Sequence, residues 1–434
     1  MKFKRLAATI LVLVIVAMTL TPTVAQNLNT SNLTTSPYNR YGYGRLGSLG
    51  NTVTRSMGDV GIAIRSNQYT TLANPASLTA IDTLTMIFTV GLDAQYGSYK
   101  ESGVSDHKWD AGFSYMSFQM PLWRNFAMSL SFTPYSMVGY SYGTSDSVAV
   151  QSPTVRHDTL TYASSHSGVG GINNFMLGLG WRAFRNKHAE INLGVNAGWL
   201  FGTIEHDGVL STSSQSNSTF STYTATVRGL HLQVGAQYTQ RISATQSITI
   251  GGTWSPKLNM SVDTEAMKFS SDTITSDGRY RSSVKLPMKW GVGVSYNILR
   301  KFTVSAEYEQ TMWQDIQGLN TRLQPEEGVF NNTRRFAAGV EYQPRTMTNN
   351  YLKLCRYRAG FSTQSSYLRV KESGLREYNA NLGISLPLKR SALDFGVGYS
   401  TLRPDEGELV KENYITINVG LTFNEMMFFR GRLR

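Results

Sequence analysis

The chain has 434 residues, with 41 Lys+Arg against 29 Asp+Glu, a formal net charge of +12 and 41% hydrophobic residues. Its single cysteine, Cys355, excludes an internal disulfide, and no apolar run beyond residue 25 reaches the roughly 20 residues of a membrane helix. A mean hydropathy of −0.23 leaves a transmembrane β-barrel open, because half of each strand in such a barrel faces a polar interior.

At the N-terminus, Lys2, Lys4 and Arg5 precede an apolar run from Leu6 to Leu20, followed by the small-residue site Thr23-Val24-Ala25. This layout predicts a cleaved signal peptide over residues 1–25; at about 15 residues the run is too short for an anchor. No cysteine near the site marks a lipoprotein.

Residues 26–82 are too polar and Gly-rich to make a sizeable core of their own. Within "YNRYGYGRLGSLG", Gly42, Gly44 and Gly47 match the G-x-G-x-x-G spacing of a dinucleotide loop. That fingerprint requires a buried strand before it, and Pro37, Tyr38, Asn39 and Arg40 stand there instead. The glycines therefore predict a tightly turning backbone and no cofactor. A small-residue run from Gly58 to Ala63 follows, then Asn74-Pro75-Ala76.

From Thr83 the pattern has period two. Leu84, Met86, Phe88, Val90, Leu92, Ala94 and Tyr96 form one apolar face, and the other holds Thr83, Thr85, Ile87, Thr89, Gly91, Asp93 and Gln95. The alternation recurs through Ile191 to Phe201, Leu230 to Tyr238, Val284 to Val294, Phe302 to Tyr308, Tyr378 to Leu386 and Ile415 to Phe423. In all it predicts about fourteen strands over residues 83–423, an even number as in bacterial outer-membrane barrels. Soluble sandwiches also alternate, but their strands usually run five or six residues, and many of these are longer.

Connections alternate between short and long, with long ones expected at Gly143 to Ser167, Asp207 to Asn217 and Ser261 to Ser282. Short turns belong to the periplasmic end of such barrels. Arg124, Arg182, Arg185, Lys187, Arg241, Arg300, Lys301, Arg345, Lys389 and Arg390 lie at or beside them. This rim reads as a belt for lipid headgroups rather than a nucleic-acid surface, which needs one clustered face.

In the third strand, Pro134 removes a ladder donor and the apolar phase slips at Tyr135. By themselves these residues read as a tolerated bulge near the extracellular rim. The six histidines are scattered, with only His231 expected to face the lumen, and no nucleophile elbow or zinc spacing accompanies them. No enzymatic activity and no metal are expected. Residues 424–434 read as a periplasmic tail in which Phe428, Phe429, Arg430 and Arg432 suit an interfacial anchor or a docking element.

Asn74-Pro75-Ala76, the small residues before it and the strand number after it resemble the FadL-like outer-membrane transporters of long-chain fatty acids and other hydrophobic compounds. The resemblance implies an all-β fold, a transmembrane antiparallel barrel of about 14 strands with residues 26–82 as a hatch inside it. It further implies a ligand gate at Asn74, Pro75 and Ala76 and a third-strand kink at Pro134 and Tyr135. Expected partners are outer-membrane lipid and a hydrophobic small molecule, with no nucleic acid. Some relatives of that family are accessory subunits of secretion or outer-membrane assembly machines, so a protein partner in the periplasm or outer membrane is the alternative expectation.

Overall fold

The computed structural model describes residues 35–426 apart from 102, 151–157, 213–217, 271–272, 300, 317–329, 345–349, 371 and 408. The expected signal peptide 1–25 and residues 427–434 of the expected tail lie outside the described residues.

A two-residue strand β1 (Arg45–Leu46) precedes β2 (Thr85–Glu101), β3 (Val104–Trp123), β4 (Phe126–Val150), β5 (Asp158–Arg185) and β6 (Ala189–Thr212). Then come β7 (Ser218–Arg241), β8 (Ser247–Ser255), β9 (Leu258–Ser270), β10 (Thr273–Leu286), β11 (Lys289–Ile298) and β12 (Phe302–Thr311). The last are β13 (Thr333–Tyr342), β14 (Arg356–Val370), β15 (Ser373–Leu388), β16 (Ser391–Pro404) and β17 (Lys411–Met426). Strands β8 and β9 form one span interrupted at Pro256, and β10 and β11 form another interrupted at Pro287, since proline brings no N–H to the ladder. The result is fourteen antiparallel spans, closed where β17 pairs with β2 from Lys411↔Lys100 to Met426↔Thr85.

Burial is inverted relative to a soluble protein. Leu230, Val234, Ile250, Val292, Phe361, Leu382 and Val397 are exposed, while Thr89, Gln119, Asn192, Gln237, Glu307 and Arg358 are buried. Period-two alternation gives each strand one greasy and one polar face, and closure turns the greasy faces outward to form a lipid-facing band.

Strands run much further than the apolar alternation does. The expected loop Gly143 to Ser167 is mostly ladder, with β4 and β5 paired out to Val150↔Asp158. Likewise β6 and β7 pair to Ser211↔Ser218, and β9 and β10 to Ser270↔Thr273. Beyond the apolar band a strand has no lipid to face, so its ladder persists in Ser, Thr and Tyr without a hydrophobic signature. The last strand also passes the expected boundary at Phe423: Asn424 donates its N–H to the Arg390 carbonyl at 3.0 Å, and Glu425 pairs with Arg390 at 3.6 Å.

Residues 35–82 run along the inward faces of strands on all sides of the ring. Ser36 bonds Glu412 on β17 at 2.5 Å, Asn39 bonds the Gly139 carbonyl on β4 at 3.3 Å, and Arg45 bonds Gln95 on β2 at 2.8 Å. Further on, Gly61 bonds Glu307 on β12 at 2.8 Å. Besides β1, the segment's regular structure is a 3-10 turn over Pro37–Arg40 capped by Ser36, a single helical turn α1 (Thr52–Arg55) capped by Asn51 and a 3-10 turn over Pro75–Ala80 capped by Asn74. Towards the long-loop end its Tyr38 and Tyr43 join a buried cluster with Val138, Ile172, Leu200 and Trp313.

Candidate functional site

Strands β3 and β4 separate partway up the wall. Their pairing runs from Trp123↔Phe126 to Met116↔Phe132 and stops. Above it, β3 continues on β2 alone up to Glu101↔Val104, and β4 continues on β5 up to Val150↔Asp158. The split begins at Pro134, where the β4–β5 register shifts between Pro134 and Ser136 and leaves Tyr135 as the extra residue. Proline mid-strand and a bulge bend a strand together, so β4 leans away from β3.

The edge of β4 freed by β3 is taken by β1. Arg45 lies opposite Met137 and Leu46 opposite Ser136, and the Gly47 N–H donates to the Tyr135 carbonyl at 2.8 Å. The approach leaves no room for side chains: a Cβ on Gly44 would stand 2.4 Å from the Met137 carbonyl oxygen, and one on Gly47 2.1 Å from that of Pro134. Gly44 also has φ +75°, a conformation open to glycine and strained for other residues. The glycines that mimic a nucleotide loop thus seat a strand across the wall opening. Behind this seam lies a cavity of about 430 Å³ whose lining includes Leu46, Phe113, Pro134 and Tyr135 together with Arg55, Asp93 and Glu307.

Below the seam, charged side chains on the inward phase grip the inner segment. Arg335 on β13 donates to Glu307 at 2.7 Å and Glu309 at 3.0 Å, and through its other nitrogen to the Gly58 and Asp59 carbonyls at 2.8 Å each. Glu307 in turn accepts the Gly61 and Ile62 N–H groups at 2.8 and 3.1 Å. One ion pair therefore satisfies four backbone groups of a single loop. Arg55 pairs with Asp93, and Arg358 pairs with Glu341 at 2.7 Å while facing the Tyr69 ring at 5.8 Å.

Asn74 is fully buried. Its Nδ2 donates to the carbonyls of Ile62 at 2.8 Å, Ala236 at 3.2 Å and Gly252 at 3.3 Å, and its Oδ1 accepts the Ala76 N–H at 3.0 Å. The amide thereby joins two parts of the inner segment to β7 and β8. The wall is hollowed for it, since a Cβ on Gly235 would stand 2.0 Å from Asn74 Oδ1. Pro75 begins the 3-10 turn, and the Ala76 carbonyl accepts from Arg65 at 3.3 Å. Arg65 also bonds Gln237 at 3.0 Å and Glu190 at 2.8 Å. Burial draws its guanidinium down to about 10, with Glu190 opposing that and Arg182, Arg185 and Arg241 adding to it. The two groups singled out in the sequence lie apart: Asn74-Pro75-Ala76 faces β6, β7 and β8, whereas Pro134 and Tyr135 face β1 and β5. His231 faces inward beside Asn174, its Nδ1 3.3 Å from Asn174 Nδ2.

The profile of the BamG family matches residues 6–433. The chain belongs to the BamG family. No curated protein sequence matches it. Solved structures similar to it include a Pseudomonas aeruginosa FadL homologue, at TM-score 0.56 and 13% identity over 87% of this chain and 99% of that one. The Ralstonia pickettii toluene transporter TbuX is similar at TM-score 0.53 and 14% identity over 87% and 98%, and the P. putida toluene transporter TodX at 0.50 and 13% over 90% and 100%. The fold of this BamG-family chain is therefore the FadL-type barrel that the sequence resembles.

Sequence reasoning missed β1, Arg65 and the Glu307–Arg335 grip. A signal for the last was present: in Phe302 to Tyr308 the apolar residues hold the even positions, so Glu307 and Glu309 fall on the inward phase. A carboxylate buried there requires a cation and donors, and Arg335 supplies the cation. Among the described residues, no group of three His, Cys, Asp or Glu could hold a metal ion.

Proposed function

We propose that this protein is an outer-membrane channel for passive uptake of hydrophobic small molecules such as long-chain fatty acids, released sideways through the wall between β3 and β4. The observation that carries the reading is the upper edge of β4 from Pro134 on, which has lost its ladder with β3 and is paired instead by the two residues of β1. Straight passage down the axis meets buried ion pairs, which an apolar solute cannot solvate; the seam instead borders Leu46, Phe113 and Tyr135. Support also comes from the fold shared with toluene transporters. In this reading residues 26–82 are the hatch, Asn74, Pro75 and Ala76 hold its turn against the wall, and Pro134 and Tyr135 set the opening. The leader at residues 1–25 and the lipid-facing band support a place in the Gram-negative outer membrane.

The test is a reversible lock. Leu46 and Ser136 are partners in the β1–β4 register, a geometry that cysteines can bridge, and the native Cys355 is buried. With Leu46→Cys and Ser136→Cys, oxidation should stop uptake of a hydrophobic probe and a reductant should restore it. Equal uptake in both states overturns the lateral route.

A second reading is favoured by the grip itself. A segment fixed by Arg55–Asp93, Arg335–Glu307 and Arg358–Glu341 suits a sealed barrel that serves as an accessory subunit of a protein secretion or outer-membrane assembly complex. Native mass spectrometry of the protein extracted from its own membrane in mild detergent separates the two. A bound apolar molecule supports the channel, and a stoichiometric protein partner on a barrel without one supports the accessory role.

A further inference from the structure

The basic rim expected to serve lipid headgroups is divided in two. Part of it turns inward and lines a cavity of about 1050 Å³ at the short-turn end. There a single carboxylate, Glu190, is shared by four arginines: Arg65 at 2.8 Å, Arg182 at 3.1 Å, Arg185 at 3.9 Å and Arg241 at 4.0 Å. Lys187 and Lys301 stand on the same lining, while the other acids there are engaged, Glu341 by Arg358 at 2.7 Å and Asp82 by Asn67 at 2.9 Å. Arg185 and Arg241 keep about half of their side chains open, at 51% and 45% exposure. Cations outnumber anions in a concave site, which focuses the positive field outward.

We infer that this cavity docks an acidic peptide segment of a periplasmic protein, whose carboxylates take the open sides of Arg185 and Arg241 and approach Lys187. Guanidinium forks match carboxylates in paired hydrogen bonds, and arginine clusters are a recurring reader of acidic motifs. The volume exceeds by far what one small oxyanion fills, given that a water takes about 30 Å³. Thr, Ser, Asn and Gln on the lining offer partners to a peptide backbone, and the exposed Ile242 offers apolar contact. The cavity opens along the barrel axis at the turns, away from the lipid-facing band, so a segment from the aqueous side reaches it directly. Residues 1–34 and 427–434 contain neither Asp nor Glu, so no side chain of those two segments supplies the carboxylates. The site stands apart from the seam at Pro134 and holds whether or not that seam passes ligand.

The experiment titrates the full-length protein in detergent with fluorescent hexaglutamate, with hexaglutamine as the control, at low and high salt. Hexaglutamate should bind and hexaglutamine should not, and high salt should weaken binding, as screening of surface charge requires. Arg185→Glu with Arg241→Glu should weaken binding at least about tenfold, the scale of losing charge pairs at an interface. Arg185→Gln with Arg241→Gln, which introduces no repulsion, should weaken it less, and heat-modifiable gel migration checks that both variants fold. Equal binding of hexaglutamine, or unchanged binding by both folded variants, overturns the inference. So does complete displacement of the peptide by inorganic phosphate or by phosphatidylglycerol vesicles, which would make the cavity a phosphate or headgroup site.

Discussion

Gly47 and Pro134 meet backbone to backbone, so that a Cβ on Gly47 would stand 2.1 Å from the Pro134 carbonyl oxygen. No flexible side chain is there to yield. Gly47→Val should therefore unseat β1 from β4 while leaving the fourteen spans paired, because β1 contributes only the Arg45 and Leu46 pairings to the wall. The variant barrel should keep its heat-modifiable migration and show higher ion conductance in a planar bilayer than the wild type. Conductance at the wild-type level would mean that β1 is not what closes the gap.

Glu307 and Arg335 act as one unit on the loop from Gly58 to Ile62. Glu307→Ala removes the acceptor of the Gly61 and Ile62 N–H groups, at a cost of about 1–3 kcal/mol for each that stays buried and unsatisfied, while Arg335 keeps Glu309 at 3.0 Å. The loss should appear as faster hydrogen exchange at Gly61 and Ile62 in a folded barrel. Replacing both residues by leucine should cost more than Glu307→Ala alone, since the Gly58 and Asp59 carbonyls then lose their donor as well; Glu309 keeps Lys289 at 3.0 Å. Equal exchange in wild type and Glu307→Ala would show that the loop is held by something else.

The barrel was legible in the sequence because lipid imposes a rule on every second residue: Leu230, Leu232 and Val234 face out while His231 and Gln233 do not. Where the rule lapses, the reading lapses too. Residues 143–150 and 158–167 are ladder, yet their Ser, Thr and Gly carry no alternation. Pro134 announced a break in β4, but β1 could not be foreseen, since two residues carry no period and only the glycines beside them record the close approach. Asn74 was visible as part of a motif. Its three acceptors come from Ile62, Ala236 and Gly252, far apart in the chain, and only closure of the barrel assembles them.

Asn74 and Gly235 form a lock of donor and hollow, and each can be tested through the other. Asn74→Ala leaves the Ala76 N–H without its acceptor, at a cost of about 1–3 kcal/mol if it stays buried and unsatisfied, and unties the turn from β7 and β8, although the Ile62 carbonyl keeps Gln237 Nε2 at 2.8 Å. Gly235→Val leaves Asn74 in place but drives a Cβ to 2.0 Å from its Oδ1. Both variants should give a folded barrel with lowered uptake of a hydrophobic probe and greater protease cleavage between residues 58 and 80. Unchanged uptake in both would remove this turn from the transport route.

Trp313 sits in an aromatic box with Tyr367 at 4.5 Å, Tyr43 at 5.5 Å and Phe330 at 5.7 Å between ring centroids. It fills the long-loop end of the lumen, where an incoming apolar solute would first leave water. Trp313→Ala should destabilise this region by about 3–5 kcal/mol, the usual range for removing a large buried aromatic. It should also create a dry, apolar-walled hole, and such holes accept benzene-sized molecules. The checks are a lower thermal midpoint and stronger toluene binding by the variant than by the wild type, read by titration calorimetry in detergent. If the variant is destabilised yet binds no more toluene, the box collapses on itself; the native cluster is then structural packing rather than a ligand's landing place.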